Sequence, residues 1–372
     1  MKKYFFFAAA ALVALAACSK VTPVAEPDQE IAFKVINYVN STKADDAAGH
    51  KEYTGTFGVF AYANNEVWDN ANSTTGNVYM NNVAISKVTV NNSSVWKNAQ
   101  TAYFWPKKAK LTFAAYSPYN ATAPTFAKAT GFKFSNYTIP AEADVDLMVA
   151  DLAKDLTGNV TTAEATEGDG GYHYTQGVPL LFHHLLTSLQ FKFQQAPYDN
   201  PNVVEADSKI IVTAVELRNF VGSKTYDNNV WDANTTASNA NYTVYSDNTG
   251  TAIAKVSANN PTLIGAEDVI IMPQTLVAAP TNPTAVPTDA TETSYQLLKV
   301  TYNISTKYNT GSTLVEEGIV AYVPFNSTAI TAFTKNQKIV YTVTIKPYAQ
   351  DEILFDPAVK NWDETTGTLS IK

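Results

Sequence analysis

Hydrophobic and polar residues alternate with a period of two in many short stretches of this chain. The clearest stretches are residues 31–36, 189–194, 298–305 and 338–345. In an extended strand, such alternation puts the apolar side chains on one face and the polar side chains on the other. One apolar and one polar face per strand is typical of antiparallel sheets that pack into sandwiches. The pattern therefore predicts an all-β protein.

Helical spacing is rare, and turn-forming residues separate the predicted strands. The best helical candidate is the short stretch 182–188, which also fits a turn that leads into the strand at Leu189. Pro273 should stop the strand 269–271, because proline donates no hydrogen bond to a ladder. Polar loops are predicted at residues 69–77, 156–171, 227–241 and 278–293.

The longest of the breaks suggests a domain boundary. Residues 157–176 are rich in glycine, threonine and acidic residues, a composition typical of a connecting segment. A mature chain of this length suits two domains of roughly 150 to 190 residues each. We therefore predict two tandem antiparallel β-sandwich domains, an N-terminal one over residues 30–176 and a C-terminal one over residues 177–372.

The chain begins with the three parts of a secretory signal. Lys2 and Lys3 form a basic start, an apolar run follows over residues 5–14, and residues 15–17 (Leu-Ala-Ala) precede Cys18. The run is too short to span a bilayer, which needs about 20 apolar residues. Residues 15–18 resemble the lipobox of bacterial lipoproteins, which implies cleavage after residue 17 and acylation of Cys18. The alternative is an ordinary signal peptide with a cysteine nearby by chance.

The residues that follow Cys18 predict a tether. Residues 18–29 are polar and contain Pro23 and Pro27, so they cannot bury a core and would hold the globular part away from the lipid. Cys18 is the only cysteine, which excludes an intramolecular disulfide.

Composition excludes one class of partner and supports the predicted fold. Charged residues make up 16% of the chain and the net charge is −8, whereas nucleic acid binding calls for a basic patch. We therefore expect no nucleic acid partner. Aromatic residues reach 12%, with 21 tyrosines, and tyrosine favours pleated strands.

Several segments together resemble a known family. They are Thr-Phe-Gly-Val-Phe-Ala-Tyr at 56–62, Tyr-Phe-Trp-Pro at 103–106, Leu-Thr-Phe-Ala-Ala-Tyr-Ser-Pro at 111–118, Asp-Leu-Met-Val-Ala at 146–150, Pro-Leu-Leu-Phe-His-His at 179–184, Ile-Met-Pro-Gln at 271–274, and Ile-Leu-Phe at 353–355 with Val359 and Trp362 beyond. In this order and spacing they resemble the fimbrillin-like lipoproteins of Bacteroidales, whose members include the type V pilins. Physically these residues would hold a shape: Trp105 and Pro106 would end a strand and cover an edge, while Phe113 and Tyr116 would fill a core.

The resemblance implies a structural subunit of a type V-like pilus that supports adhesion. Such a subunit reaches the outer membrane and cell surface as a lipoprotein and is cut by a protease after its first strand. Here that strand carries Ile31, Phe33 and Val35. The family site follows an arginine, but the equivalent loop of this chain offers Lys43, with Lys51 as the second choice.

The resemblance also implies assembly partners. Loss of the first strand would open an apolar groove that a strand of another pilus subunit fills, by β-strand complementation in a homo- or heteropolymer. The terminal segment would be the donor, because Leu369 and Ile371 alternate with polar residues there. The alternative is that this segment is an ordinary edge strand. A host or bacterial surface ligand is the other implied partner.

The histidines do not form a metal-binding pattern. His183 and His184 are adjacent, and neighbouring side chains of a strand point to opposite faces, so they do not easily share one ion. We expect one of the two to be packed or hydrogen-bonded near the domain junction.

An acidic cluster also fails the pattern of a known site. It contains Asp144, Asp146, Asp151 and Asp155, but a calcium loop requires glycine at its sixth position, where this chain has Val149. We expect Asp146 to accept backbone hydrogen bonds in a turn, with a weak surface calcium site as the alternative. The sequence therefore predicts no metal and no cofactor.

Patterns of catalytic residues are missing from the sequence. It contains no Gly-x-Ser-x-Gly elbow, no phosphate-binding loop and no His-Glu-x-x-His. We therefore predict that the protein is not an enzyme. The alternative function is a monomeric surface lipoprotein that binds glycans through exposed aromatic residues such as Trp68, Trp96 or Trp231.

Overall fold

The computed structural model describes residues 30–36, 53, 55–69, 77–90, 92–107, 109–119, 123–158, 177–233, 239–278, 295–325, 330–347 and 353–361. Cys18, Lys43, Lys51, Leu369 and Ile371 lie outside these residues. Within them the chain forms strands and two short 3-10 turns, Glu205–Asp207 and Val256–Ala258, without an α-helix. The predicted all-β class is confirmed.

The described strands are numbered in chain order. They are β1 (Phe33–Ile36), β2 (Phe57–Asn64), β3 (Asn77–Val90), β4 (Ser93–Lys97), β5 (Lys110–Ser117), β6 (Thr125–Ala127), β7 (Gly131–Thr138), β8 (Met148–Ala150), β9 (Ala153–Leu156), β10 (Val178–His184), β11 (Thr187–Gln195), β12 (Lys209–Val221), β13 (Ser223–Asp227), β14 (Val230–Trp231), β15 (Asn239–Ala252), β16 (Ala254–Lys255), β17 (Thr262–Leu263), β18 (Val269–Ile271), β19 (Gln274–Thr275), β20 (Leu297–Lys307), β21 (Thr313–Pro324), β22 (Ala332–Phe333), β23 (Gln337–Ile345) and β24 (Ile353–Asn361).

The sheet that contains β1 closes on itself. Its strands follow the order β2-β3-β4-β1-β10-β8-β5-β9, and β2 also pairs with β5 along seven residue pairs. A core fills the inside of this closed sheet, which we call the inner core. It is built from alternate residues of the surrounding strands, among them Phe33, Phe57, Ile85, Phe113 and Leu180.

The other face of β2 and β5 is buried as well. Phe60 and Tyr116 point away from the inner core and pack against the small sheet β14-β13-β7-β6. This second core continues between the two remaining large sheets, β15-β12-β20-β21 and the sheet built around β11, β23 and β24. Phe113 and Tyr116 both fill cores, as predicted, but they do so on opposite faces of β5.

The structure corrects the helical candidate at residues 182–188. Its first part is the end of β10, where Phe182, His183 and His184 pair with β8, and its last part begins β11. Backbone pairing with a neighbouring strand outweighs a weak local periodicity there. The strand 269–271 ends before Pro273, as predicted.

Two other expectations need refinement. The loop predicted at residues 227–241 contains β14 and the first residues of β15. In addition, β1 runs parallel to β10 and β11 runs parallel to β23, so the sheets are not purely antiparallel. Alternation reports which face a side chain occupies and carries no information on the direction of the partner strand.

The boundary between residues 176 and 177 stays a prediction. In the structure, strands from both sides of it share sheets, since β10 lies between β1 and β8, and β13 pairs with β7. Within the described ranges, no helix is long and apolar enough to cross a bilayer.

Candidate functional site

The first strand occupies an interior position of the closed sheet. β1 pairs in parallel with β10 from Phe33 opposite Val178 to Ile36 opposite Leu181, and Phe33 also pairs with Trp96 of β4. Just before the strand, the amide of Ile31 donates to the carbonyl of Tyr103 at 2.7 Å. The backbone of β1 and the residues before it is therefore engaged on both sides.

The side chains of the first strand are part of the inner core. Ile31 and Phe33 are 2% and 4% exposed, while Lys34 points to solvent and Val35 is half-buried. The predicted division of this strand into an apolar and a polar face is therefore present. Burial of Ile31 and Phe33 contributes about 1.5–3 kcal/mol for each side chain.

Aromatic rings enclose the side chain of Phe33. Its ring meets Phe57 and Phe113 edge to face, with centroids 5.9 and 5.6 Å apart and interplanar angles of 88°. Phe57 in turn contacts Trp96 and Phe182, each with a centroid distance of 5.5 Å. Edge-to-face pairs are a favoured geometry, so the pocket fits an aromatic ring well.

We call this group of rings (Phe57, Phe113, Trp96 and Phe182) the aromatic wall. Tyr53 extends it at the far end of the segment that links β1 to β2. Its ring stacks on Phe182 at 6.0 Å and lies 5.5 Å from Trp96. Its hydroxyl is 2.6 Å from Ser117 Oγ and donates to the carbonyl of Thr56 at 3.1 Å. Burial raises the pKa of Tyr53, and the hydrogen bond with Ser117 opposes that effect in part. Tyr53 is thus fixed to the body of the sheet by polar and apolar contacts.

Further contacts fasten the start of the first strand. Lys97 Nζ lies 2.8 Å from the Glu30 carboxylate, which joins the segment just before β1 to the end of β4. Gly177 has φ +78°, and a Cβ there would lie 2.8 Å from the carbonyl carbon of Phe33. Val178 donates to the carbonyl of Ala32 at 2.7 Å. The chain before β10 therefore approaches β1 more closely than a side chain would allow.

The last described strand lies at a sheet edge. β24 pairs with β23 over all nine residues and with no other strand of the described part of the chain. Val359 is exposed on it. The predicted donor residues Leu369 and Ile371 follow this strand in the sequence but lie outside the described residues, as do the predicted processing residues Lys43 and Lys51 and the lipidation residue Cys18.

The histidines each pair with a separate aspartate. His183 Nε2 is 3.0 Å from Asp151 Oδ2, and His184 Nδ1 is 2.5 Å from Asp146 Oδ2. Asp146 therefore contacts His184, and its expected backbone hydrogen bonds stay a prediction. The described residues contain no group of three or more histidine, cysteine or acidic side chains arranged around a common centre.

Another member of the acidic cluster serves the backbone. The Asp155 carboxylate accepts the amide of Trp68 through both oxygens, at 2.9 and 3.0 Å, and its own amide donates to Thr112. The acidic residues that lie close together in the sequence therefore make separate contacts in the structure.

The tryptophans proposed for glycan binding are built into the fold. Trp68 is buried against Tyr62 and carries the Lys128 ammonium 4.7 Å above its ring. Trp231 is half-buried and donates through Nε1 to the carbonyl of Leu185 at 2.7 Å. Trp96 belongs to the aromatic wall around β1. Trp105 is buried in the inner core against Phe113, next to Phe104, which forms an isolated bridge with Glu30.

Sequence reasoning found the first strand but missed its partners. The sequence does not show that β10 and Tyr53 lie beside β1, because periodicity does not reveal which strands are neighbours. Gly177 carried a signal in the sequence, because a glycine directly before a strand often marks a close approach of two backbones.

Comparison with known proteins assigns the family. A family model described as fimbrillin-like matches residues 42–362. No curated protein sequence matches the chain. A fimbrial protein from Bacteroides vulgatus has a solved structure with 21% identity and a TM-score of 0.55, and the match covers 90% of this chain and 99% of that one.

Two other solved structures are similar at a lower level. A candidate cell adhesion protein from Bacteroides uniformis shares 16% identity with a TM-score of 0.45, covering 90% of this chain and 98% of that one. The tip fimbrial protein from Porphyromonas gingivalis shares 11% identity with a TM-score of 0.35, covering 85% and 97%.

The extent of the family match decides the class of protein. It covers most of the chain and includes the segments on which the resemblance was based. The chain belongs to the fimbrillin-like family, a family of fimbrial and adhesion proteins and not of enzymes. The protein is accordingly a fimbrial protein of the cell surface.

Proposed function

We propose that the protein is a pilus subunit that is exported as a lipoprotein, cut after its first strand and assembled by β-strand complementation. The observation that carries this proposal is the position of β1. It lies between β4 and β10 in a closed sheet and buries Ile31 and Phe33 in the inner core. One cut between Ile36 and Tyr53 would break the covalent link between this strand and the rest of the sheet, so that another strand could displace it.

Removal of β1 would create a groove that does not persist in water. The backbone groups of β4 and β10 that face β1 would lose their partners, and the rings of Phe57 and Phe113 would become exposed. Unpaired strand edges beside an apolar surface recruit another strand. Cleavage and assembly would therefore be coupled.

The proposed processing site is Lys43, with Lys51 as the second choice. Both lie between β1 and Tyr53 in the sequence. Arg218, the only arginine, lies in β12 and pairs with Leu297, far from this segment in the chain. A protease that requires arginine would therefore not act there, which leaves an uncut anchor as the alternative role for the subunit.

The lipid and the donor strand complete the proposal. Acyl chains on Cys18 would hold the subunit at the outer membrane until the cut, followed by entry of a donor strand, releases the body from the lipid-bearing fragment. The donor would be the terminal segment with Leu369 and Ile371, inserted in the groove of a neighbouring subunit. It follows β24, which already lies at a sheet edge.

Truncation of the donor tests the proposal. A recognition sequence for a specific protease is placed between Lys43 and Ala44, and the chain is cut with and without residues 363–372. Electron microscopy should show filaments only from the cut full-length chain, while the cut truncated chain stays monomeric. The uncut forms are the controls. Filaments from the cut truncated chain would reject the terminal segment as the donor, and the lack of filaments from every form would reject self-assembly of this chain through its terminal segment.

A further inference from the structure

The groove is shaped for an aromatic side chain at its centre. The present occupant, β1, places Phe33 between Phe57 and Phe113, and both ring pairs have an interplanar angle of 88°. These two rings belong to different strands, β2 and β5, which pair directly. The floor of the pocket is therefore fixed by the sheet and does not depend on β1 for its position.

The pocket has little freedom to shrink around a smaller side chain. Phe57 and Phe113 are fully buried, and Phe57 is also held by Trp96 and Phe182. Close-packed interiors relax only in part when a large side chain is replaced by a smaller one, so the replacement leaves a cavity. A branched aliphatic residue in place of Phe33 would lose the ring contacts and leave such a cavity.

The donor segment proposed above, residues 363–372, contains no aromatic residue. After Trp362 the sequence contains only Leu369 and Ile371 as large apolar residues. The spacing of β1, an isoleucine two positions before a phenylalanine, recurs at Ile353 and Phe355. Those residues belong to β24, however, whose backbone is paired with β23 along its whole length.

We propose that the groove left by β1 selects a donor strand with an aromatic side chain at the position of Phe33 and an aliphatic side chain two residues before it. This inference rests on the proposed function and specifies the partner. The preferred donor is a strand of a different pilus subunit with that spacing, and the terminal segment of a second copy is a weaker donor. The chain would then take part in a mixed polymer.

A displacement experiment on the full mature chain tests this selectivity. Residues 18–372 are produced without the preceding signal, so that Cys18, the only cysteine, carries a fluorophore in place of lipid and stays on the fragment with β1. The protease recognition sequence lies between Lys43 and Ala44. After the cut, peptides are added and release of the labelled fragment is followed by fluorescence anisotropy. The peptides are residues 30–36, the same peptide with Phe33→Leu, the same peptide with Ile31→Leu, and residues 366–372.

The expected ranking follows from the pocket. The peptide of residues 30–36 should release the fragment, whereas its Phe33→Leu form should need at least about tenfold more peptide, because both edge-to-face pairs are lost. The Ile31→Leu form keeps the volume of the side chain and should remain within about threefold of the parent peptide. Residues 366–372 should be weaker than the parent by about tenfold or more for the same reason as the Phe33→Leu form.

A variant of the pocket separates ring recognition from general strand affinity. In a cut chain with Phe113→Leu, the difference between the parent peptide and its Phe33→Leu form should shrink, because one of the two ring partners is gone. Equal displacement by the parent, the Phe33→Leu form and residues 366–372 would overturn the aromatic selectivity and leave strand exchange intact. If no peptide releases the fragment, strand exchange in this groove is itself rejected.

Discussion

Gly177 lies directly against the backbone of Phe33. Its φ of +78° places the position of a Cβ 2.8 Å from the carbonyl carbon of Phe33 and 3.0 Å from the carbonyl oxygen. The contact joins the start of β10 to β1 at the point where their parallel pairing begins. Two physical effects meet at this glycine, an unusual backbone conformation and a close approach of two strands.

Substitution of Gly177 should weaken the packing of β1 against β10. Gly177→Ala should destabilise the chain by about 2–4 kcal/mol, because alanine strains a positive φ and its methyl group meets a backbone that cannot rotate away. Gly311→Ala is the matched control, since Gly311 has φ +86° with open space around its Cβ position, and it should cost only about 1 kcal/mol. Urea unfolding monitored by tryptophan fluorescence measures both. Equal losses for the two variants would show that the close approach contributes nothing.

A buried hydroxyl offers a route to a more stable chain. Tyr242 is buried, and within the described residues its hydroxyl has no hydrogen-bond partner. Tyr242→Phe should therefore stabilise the chain by about 1 kcal/mol, because the desolvation cost of an unsatisfied group disappears. Tyr116→Phe is the control, since its hydroxyl donates to Asn82 at 2.7 Å and its loss should destabilise. Thermal unfolding at pH 7 gives both values, and a lower Tm for Tyr242→Phe would contradict the argument.

The same tyrosine contributes to alkaline unfolding. Burial raises the pKa of Tyr242 and of Tyr226 to about 12, against about 10 in the unfolded chain. The unfolded chain therefore loses these protons first. The stability that the two tyrosines contribute is fully present below pH 10 and is lost as the pH rises from 10 to 12. The double variant Tyr226→Phe/Tyr242→Phe should show a shallower loss of Tm across that range. An unchanged slope would exclude these two residues as the source.

The sequence predicts the strands of this fold better than their arrangement. Alternation identifies β1, β11, β20 and β23, because one face of each strand lies on a core. The closure of the first sheet through β2 and β5 depends on long-range pairing, which leaves no local signature. The pattern also fails to predict the end of β10. Phe182, His183 and His184 are all half-buried, so neither face of the strand is distinctly apolar and the alternation is absent there.

The candidate site was predicted in the same uneven way. Ile31, Phe33 and Val35 were recognised as an apolar face, and the structure places the first two in the inner core. Phe57 and Phe113 come from separate parts of the chain, and only the fold brings their rings to either side of Phe33. Tyr53, four residues before Phe57, joins the same group of rings through Phe57. The two histidine–aspartate pairs depend on side-chain rotamers, which a sequence pattern does not specify.

Lipid attachment at Cys18 is a prediction that can be tested in cells. Metabolic labelling with a radioactive or alkyne-bearing fatty acid should mark the wild-type chain, and Cys18→Ala should remove the label and the membrane association together. The reason is that acyl chains on a terminal cysteine would be the anchor, and two or more chains hold a protein stably. Ser19→Ala, one residue further on, is the control and should keep the label. A wild-type chain that stays unlabelled would reject the lipoprotein assignment.

Processing between β1 and Tyr53 gives the last prediction. Limited digestion with trypsin should cut first after Lys43 or Lys51, because the polar segment 37–52 links two strands of the sheet and lysines inside paired strands, such as Lys192 and Lys338, are protected by their ladders. Amino-terminal sequencing should therefore begin at Ala44 or Glu52. Lys43→Ala should move the first cut to Lys51, and Lys43→Ala/Lys51→Ala should delay it strongly, while Lys107→Ala should leave the order of cuts unchanged.

The cut chain should keep its fragment 18–43 bound at first, since β1 remains paired with β10 and its rings stay packed, and should release it only when a competing strand is present. A first cut within β11 or β23, or a fragment that departs immediately without a competitor, would contradict this account of the groove.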